Sequence, residues 1–162
     1  MRKKRVYKKY LTPDPVYNRV DVARFTNYIM HDGKKTVAER VIKKTFEEIQ
    51  KKTEQDPLSI FSKAIENVSP LVELVSRRVG GANYQIPTDV SPDRKFILAL
   101  RWIIKAARSR KGTTISHRLA EEMISASNNE GTAIKKRTDT HKMAEANRAF
   151  AHFARFYKKK KS

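Results

Sequence analysis

Most of the chain shows the apolar spacing that is typical of amphipathic helices. In the clearest case Leu100, Ile103 and Ala107 recur at the helical period, and basic residues occupy the other side of the same segment. Asp56-Pro57 and Ser91-Pro92-Asp93 each combine a capping residue with proline at a helix start, which favours two of the predicted boundaries. The pattern predicts helices over 21–31, 36–53, 57–68, 92–109, 114–128 and 138–157.

The sixth predicted helix follows a basic loop that contains Lys135, Lys136 and Arg137. Thr138-Asp139 has the residue types of an N-terminal cap, so the helix is expected to begin there. Its predicted buried face consists of Met143, Ala146, Phe150, Phe153 and Tyr157.

One segment changes from the helical period to an alternating period, which predicts two β-strands. The strands flank Gly80-Gly81, and a glycine pair between alternating runs is a strong hairpin signal. Arg77-Arg78 and Arg94-Lys95 bracket this hairpin and are expected at its base. A lone two-stranded hairpin is marginal in water, so it must pack on the helices, on a partner or on both. The predicted fold is mainly α: a single bundle of about six helices, with a protruding two-stranded β-hairpin arm between helices three and four.

The chain is predicted to form one domain between two basic tails, without internal repeats. Residues 1–19 form a basic N-terminal tail in which Pro13 and Pro15 prevent a helix. Residues 20–157 form the helical domain, including the arm at 71–90, and residues 158–162 form a basic C-terminal tail.

The net charge of +19 identifies the class of partner. Such an excess destabilises a compact chain unless an anion neutralises it, and nucleic acid is the commonest such anion. A membrane surface would require an amphipathic basic helix or a lipid signal, whereas these basic residues occur in clusters along the whole chain. There is no cysteine, no signal peptide and no apolar run long enough to span a membrane, so we expect a cytoplasmic protein.

The distribution of charge is more specific than its total. No acidic residue lies between Asp93 and Glu121, and the sequence after Gly131 is again strongly basic. Distributed clusters favour a folded RNA over the regular groove of DNA, although a helix-turn-helix DNA-binding regulator remains the alternative. The acid-free stretch contains eight basic residues: Arg94, Lys95, Arg101, Lys105, Arg108, Arg110, Lys111 and Arg118.

Catalysis has little support in the sequence. The four histidines show no metal-ligand spacing, and Ser116 and His117 are neighbours that cannot meet as nucleophile and base on a helix. Glu121 and Glu122 are expected on a solvated helix face. We therefore predict no enzyme, no cofactor and no metal. The role of Tyr84 stays open between stacking on a base and packing on the sixth helix.

Several segments together resemble the bacterial small-subunit ribosomal protein seven family. The resemblance covers nearly the whole chain and rests on residues 25–35 (FTNYIMHDGKK), 77–87 (RRVGGANYQIP), 91–104 (beginning SPDR and ending LRWII), 135–137 (KKR) and 143–152 (MAEANRAFAH).

The resemblance implies a structural constituent of the ribosome with the predicted helical fold and hairpin. Its expected partner is the 3′ major domain of small-subunit ribosomal RNA, where the family nucleates assembly of the head as a primary binding protein. It also implies a position at the subunit interface near exit-site tRNA and mRNA, beside small-subunit ribosomal proteins nine and eleven.

Two groups of residues carry this implied function. The tRNA-facing hairpin tip would be Gly80, Gly81, Ala82 and Asn83. The rRNA-binding residues would be Arg2, Lys3, Lys8, Lys34, Lys35, Arg77, Arg78, Arg94, Lys95, Arg101, Lys105, Arg108, Arg110, Lys111, Lys135, Lys136 and Arg137.

Overall fold

A computed structural model describes residues 11–154, and this part of the chain is mainly helical. The hairpin lies between the third and fourth helices, so the predicted fold class is confirmed. The elements are α1 (Val20–Ile29), α2 (Lys35–Thr53), α3 (Pro57–Val68), β1 (Val72–Val79), β2 (Ala82–Asp89), α4 (Pro92–Ser109), α5 (Ile115–Ser127), α6 (Thr132–Ala146) and a terminal 3₁₀ helix (Arg148–Ala154).

The chain divides into two compact units, one up to Ile42 and one from Lys43 onward. In the first unit α1 buries Val22, Phe25 and Ile29, as its apolar spacing predicts. Just before α1, the buried carboxylate of Asp14 accepts hydrogen bonds from the backbone N–H groups of Val16 and Tyr17. Part of the predicted N-terminal tail is therefore an ordered turn; residues 1–10 lie outside the described residues.

In the second unit, α3 packs against α5 and α4, and α4 packs against α5 and α6. Phe46 and Phe61 meet edge to face, with ring centroids 5.7 Å apart, a favoured aromatic geometry. The start of α3 has the predicted cap: the Asp56 carboxylate accepts hydrogen bonds from the N–H groups of Leu58 and Ser59. The fully buried core side chains of this unit include Ile49, Val68, Leu100, Ile103, Leu119 and Met123.

The hairpin has the predicted two-residue turn. Gly80 and Gly81 have φ angles of 57° and 94°, and positive φ at both positions is the signature of a tight hairpin turn that glycine allows. The register pairs Val79 with Ala82 at the tip and Val72 with Asp89 at the base. Ile86 is buried, so one face of the ribbon packs on the rest of the unit.

The predicted start and buried face of α6 are wrong. The helix begins at Thr132, six residues before the predicted cap, and Lys135, Lys136 and Arg137 lie within it rather than in a loop. Its first turn is anchored because Ala133 and Ile134 are buried.

The apolar residues that predicted one longer sixth helix are divided between α6 and the 3₁₀ helix that follows it. Asn147 caps the helix, and the chain continues as the 3₁₀ helix. Met143 is 42% exposed, whereas Phe150 and Phe153 are partly buried from the 3₁₀ helix. Tyr157, like the C-terminal tail, lies outside the described residues.

Candidate nucleic-acid interface

Most of the predicted rRNA-binding residues are exposed in the structure. Lys95, Arg110 and Arg137 are partly buried, and Arg2, Lys3 and Lys8 lie outside the described residues. The four tip residues Gly80, Gly81, Ala82 and Asn83 are all exposed. The exposed predicted cations are Lys34, Lys35, Arg77, Arg78, Arg94, Arg101, Lys105, Arg108, Lys111, Lys135 and Lys136.

The outer side of α4 presents a row of cations. Arg101, Lys105 and Arg108 recur at helical spacing and are exposed, while Leu100 and Ile104 on the other side are buried. The neighbouring helix α6 carries the exposed lysines of its first turns, and α4 packs directly against α6. Two adjacent helices of the second unit therefore carry exposed cations.

Arg77 and Arg78 do not lie at the base of the hairpin, so that expectation is wrong. The register pairs Arg77 with Tyr84 and Arg78 with Asn83, which places both arginines near the Gly80-Gly81 tip. Adjacent strand residues project to opposite faces of the ribbon, so the two guanidinium groups cannot form one patch on a single face. The reason is the two-residue loop, which fixes the pairing so that Val72 and Asp89 form the base.

Some of the predicted cations make internal contacts. At the hairpin base, Arg94 donates from Nε and Nη2 to Glu73 Oε2 over 3.2 and 3.1 Å. This ion pair joins the first turn of α4 to β1. On α6, Arg137 donates to the backbone oxygen of Asn67 at the end of α3.

Arg110 binds two carboxylates of α5 through all three of its guanidinium nitrogens. Its Nε and Nη2 donate to Glu122 Oε2 over 3.1 and 2.6 Å, and its Nη1 donates to Glu121 Oε2 over 3.3 Å. The side chain of Glu122 is 0% exposed, and its second oxygen accepts the N–H of Ala133 over 2.8 Å. The expectation that Glu122 is solvated is therefore wrong. Its position three residues after Leu119 and four before Ala126 on the apolar stripe was the signal that sequence reasoning missed.

Glu121 continues this network toward α2. Its Oε1 lies 3.4 Å from Lys52 Nζ and 3.1 Å from His117 Nε2, and His117 Nδ1 lies 2.8 Å from Glu48 Oε2. Partial burial by itself raises the pKa of Glu121, but the hydrogen bond and charge of Lys52, together with His117 and Arg110, outweigh it and lower that pKa. This cluster stabilises the packing of helices rather than forming a reaction centre.

The hairpin is also held by contacts from the C-terminal side of the unit. The ring of Tyr84 lies 5.0 Å from that of Phe150 and 5.9 Å from that of Phe153. Of the two roles left open for Tyr84, the structure shows packing on the segment predicted as the sixth helix, at the two phenylalanines that lie in the 3₁₀ helix. At the hairpin base, His141 Nε2 accepts the N–H of Leu71 over 3.1 Å. Burial, and then the charge of Arg137, lower the pKa of His141, which favours the neutral ring that this bond requires.

Among the helices of residues 11–154, none combines the length and the apolar character that a membrane span requires.

Comparison with known proteins identifies the family. Residues 1–148 match the family described as ribosomal protein S7p/S5e. The chain is 56% identical over 152 residues to small ribosomal subunit protein uS7 of Mycoplasmoides gallisepticum, covering 94% of this chain and 98% of that relative. It is 54% identical over 153 residues to uS7 of Thermotoga maritima, covering 94% and 99%. The chain therefore belongs to the ribosomal protein S7p/S5e family and is a structural constituent of the ribosome, not an enzyme.

Proposed function

We propose that this chain is a primary binding protein of the 3′ major domain of small-subunit ribosomal RNA and nucleates assembly of the head. It works in the cytoplasm, within the small subunit. The observation that carries this proposal is the separation of charge in the second unit. Exposed cations line α4, the loop after it and the start of α6, whereas the carboxylates of Glu121 and Glu122 bind Arg110.

The separation of exposed cations from carboxylates is stronger evidence for phosphate binding than the net charge of the chain is. Each exposed Lys or Arg that neutralises a phosphate releases a counterion, which contributes to affinity at low salt. The exposed cations lie on two packed helices and a loop instead of on one recognition helix. A surface of that form fits a folded RNA whose helices approach from several directions better than it fits one DNA groove.

We further propose that the hairpin tip faces exit-site tRNA at the subunit interface, close to the mRNA. Gly80, Gly81, Ala82 and Asn83 are exposed, and the turn has no side chain at its centre, so RNA can approach the backbone closely. Arg77 and Arg78 lie next to this tip and supply positive charge there. Small-subunit ribosomal proteins nine and eleven are the proposed protein neighbours.

The decisive experiment compares two nucleic acids. A transcript of the 3′ major domain of a bacterial small-subunit ribosomal RNA and a duplex DNA of the same length are titrated with the protein, from low to physiological salt. The proposal expects the RNA to be bound in preference to the duplex, with a difference that persists as salt rises, because specific contacts remain when counterion release weakens. Equal affinity for the duplex at physiological salt would instead favour a DNA-binding regulator.

A further inference from the structure

The end of α4 and the loop that follows it carry two arginines and a lysine within four residues, but the structure gives them different environments. Arg108 and Lys111 are exposed, whereas Arg110 between them is partly buried. Gly112 follows with a φ angle of 95°, so the backbone turns sharply immediately after the exposed Lys111.

Arg110 joins this loop to the middle of α5 and, through Glu122, to α6. All three of its guanidinium nitrogens donate to the carboxylates of Glu121 and Glu122. Glu122 is fully buried, and the same carboxylate caps the start of α6 by accepting the N–H of Ala133. A buried carboxylate bound on both oxygens has little freedom to move, so the position of Arg110 is fixed with it.

A second guanidinium, that of Arg118, binds the backbone of the same loop. Arg118, on α5, donates to the backbone oxygen of Arg110 and, from Nε over 3.4 Å, to the backbone oxygen of Thr114. The loop is therefore bound to α5 at both ends. The side chain of Arg110 donates to carboxylates of α5, and the side chain of Arg118 on α5 donates to the backbone of Arg110.

We propose that Arg110 and Glu122 are positioning residues, which hold the loop so that Lys111 meets an RNA phosphate in a fixed position relative to Arg108 at the end of α4. Arg110 itself does not contact RNA. This inference rests on the proposed function and deepens it, because it separates a cation that binds RNA from a cation that positions it. Holding the loop in advance removes an ordering cost that a mobile loop would pay on binding.

The test uses four variants and one control, with affinity for the 3′ major domain transcript measured as a function of KCl concentration. The four variants are Lys111→Ala, Glu122→Gln, Arg110→Lys and Arg110→Ala. Lys111→Ala removes a proposed phosphate contact and is expected to reduce the logarithmic salt slope by about one unit. Glu122→Gln keeps an acceptor for Ala133 but removes the charge that binds Arg110. Although it removes a negative charge, it is expected to weaken RNA binding and to reduce the slope by up to about one unit.

Arg110→Lys provides the second discriminating variant. It keeps the positive charge but cannot bridge two carboxylates with a planar fork, so the positioning role predicts a loss similar to that of Glu122→Gln. A direct phosphate contact predicts that Lys at position 110 largely keeps the salt slope. Amide hydrogen exchange across residues 109–114 is expected to accelerate in both variants, and their folded state is checked by circular dichroism at the binding temperature.

Ile60→Val, in the α3 core, is the control for general destabilisation and is expected to keep the wild-type salt slope. The inference is overturned if Lys111→Ala lowers the slope while Glu122→Gln and Arg110→Lys leave affinity and slope unchanged. It is also overturned if Arg110→Lys binds normally while Arg110→Ala does not. A failure of the proposed function looks different, since the wild-type protein would then show no preference for the RNA.

Discussion

At the scale of single residues, side chains of the same chemical type have different roles because their neighbours in the fold differ. Arg110 and Lys111 are adjacent cations, yet one is bound to two carboxylates and the other is exposed. Glu122 is equally instructive: it is a charged residue with 0% exposure, and it binds both Arg110 and the start of α6. Burial of such a charge is tolerated only because each of its oxygens is bound.

Gly131 tests how tightly Glu122 is held. A Cβ at this position would lie 2.9 Å from Glu122 Oε1 and 3.2 Å from Ser125 Cβ, and the φ angle is 95°. Gly112 is the matched control, because it has the same φ of 95° but nothing within 4 Å of a Cβ. Gly112→Ala is expected to lower the free energy of unfolding by about 1–3 kcal/mol through backbone strain. Gly131→Ala is expected to cost at least about 1 kcal/mol more through the close contact.

Urea denaturation of the two glycine variants measures this difference. Equal losses of stability would show that Glu122 can move aside, and would contradict the fixed position assigned to it.

At the scale of elements, the hairpin is stabilised by packing at several points along its length. Tyr84 contacts Phe150 and Phe153 near the tip, and His141 and Arg94 bind the backbone of Leu71 and the side chain of Glu73 at the base. These contacts answer the problem that an isolated two-stranded ribbon is marginal in water. The arm belongs to the second unit as a packed element before any RNA is bound.

Tyr84 is the residue that distinguishes packing from RNA stacking. The hydroxyl of Tyr84 makes no hydrogen bond within residues 11–154, so Tyr84→Phe is expected to change stability by less than about 0.5 kcal/mol. Tyr84→Ala loses the aromatic contacts and is expected to destabilise the protein by about 1–3 kcal/mol. Denaturation and hydrogen exchange of the strand amides measure both effects. Weaker RNA binding by Tyr84→Ala at unchanged stability would assign the ring to base stacking instead.

At the scale of the whole molecule, the charge of +19 is a property of the chain, but its placement determines what it can bind. Lys135 and Lys136 are an exposed adjacent pair on α6, and Lys43 and Lys44 are an exposed adjacent pair on α2. Two carboxylates, Glu47 and Glu48, follow the α2 pair within about one turn, whereas the α6 pair is followed by the cation Arg137 and a single carboxylate, Asp139. The electrostatic potential around the two lysine pairs therefore differs, although each pair contributes the same amount to the net charge.

Replacing each lysine pair by two alanines distinguishes the effect of where the charges lie from the effect of net charge on RNA binding. Both double variants lower the net charge by two and make the same chemical change within a helix. Lys135→Ala with Lys136→Ala is expected to reduce the salt slope of RNA binding by about two units, whereas Lys43→Ala with Lys44→Ala leaves it close to that of the wild type. Equal reductions by the two double variants would mean that total charge, and not a defined surface, controls binding.

Much of the fold was predictable because its signals are local. Apolar periodicity located the first five helices within one or two residues, and the glycine pair located the hairpin turn. The start of α6 was missed because its anchor is remote: Ala133 is bound by Glu122 of α5, which no local pattern reveals. The position of Arg77 and Arg78 was missed because register depends on how the two strands pair.

The sequence by itself determined the helical class, the hairpin, the polyanionic partner and the family, because periodicity, charge and motifs are written along the chain. Only the tertiary structure decided which charges are bound within the protein. Arg110 and Arg137 look like Lys105 in the sequence, but Arg110 and Arg137 are bound by Glu122 and Asn67 of other elements, whereas Lys105 is exposed. Charge is a property of a residue, whereas its availability to RNA depends on which carboxylates and carbonyls folding brings beside it.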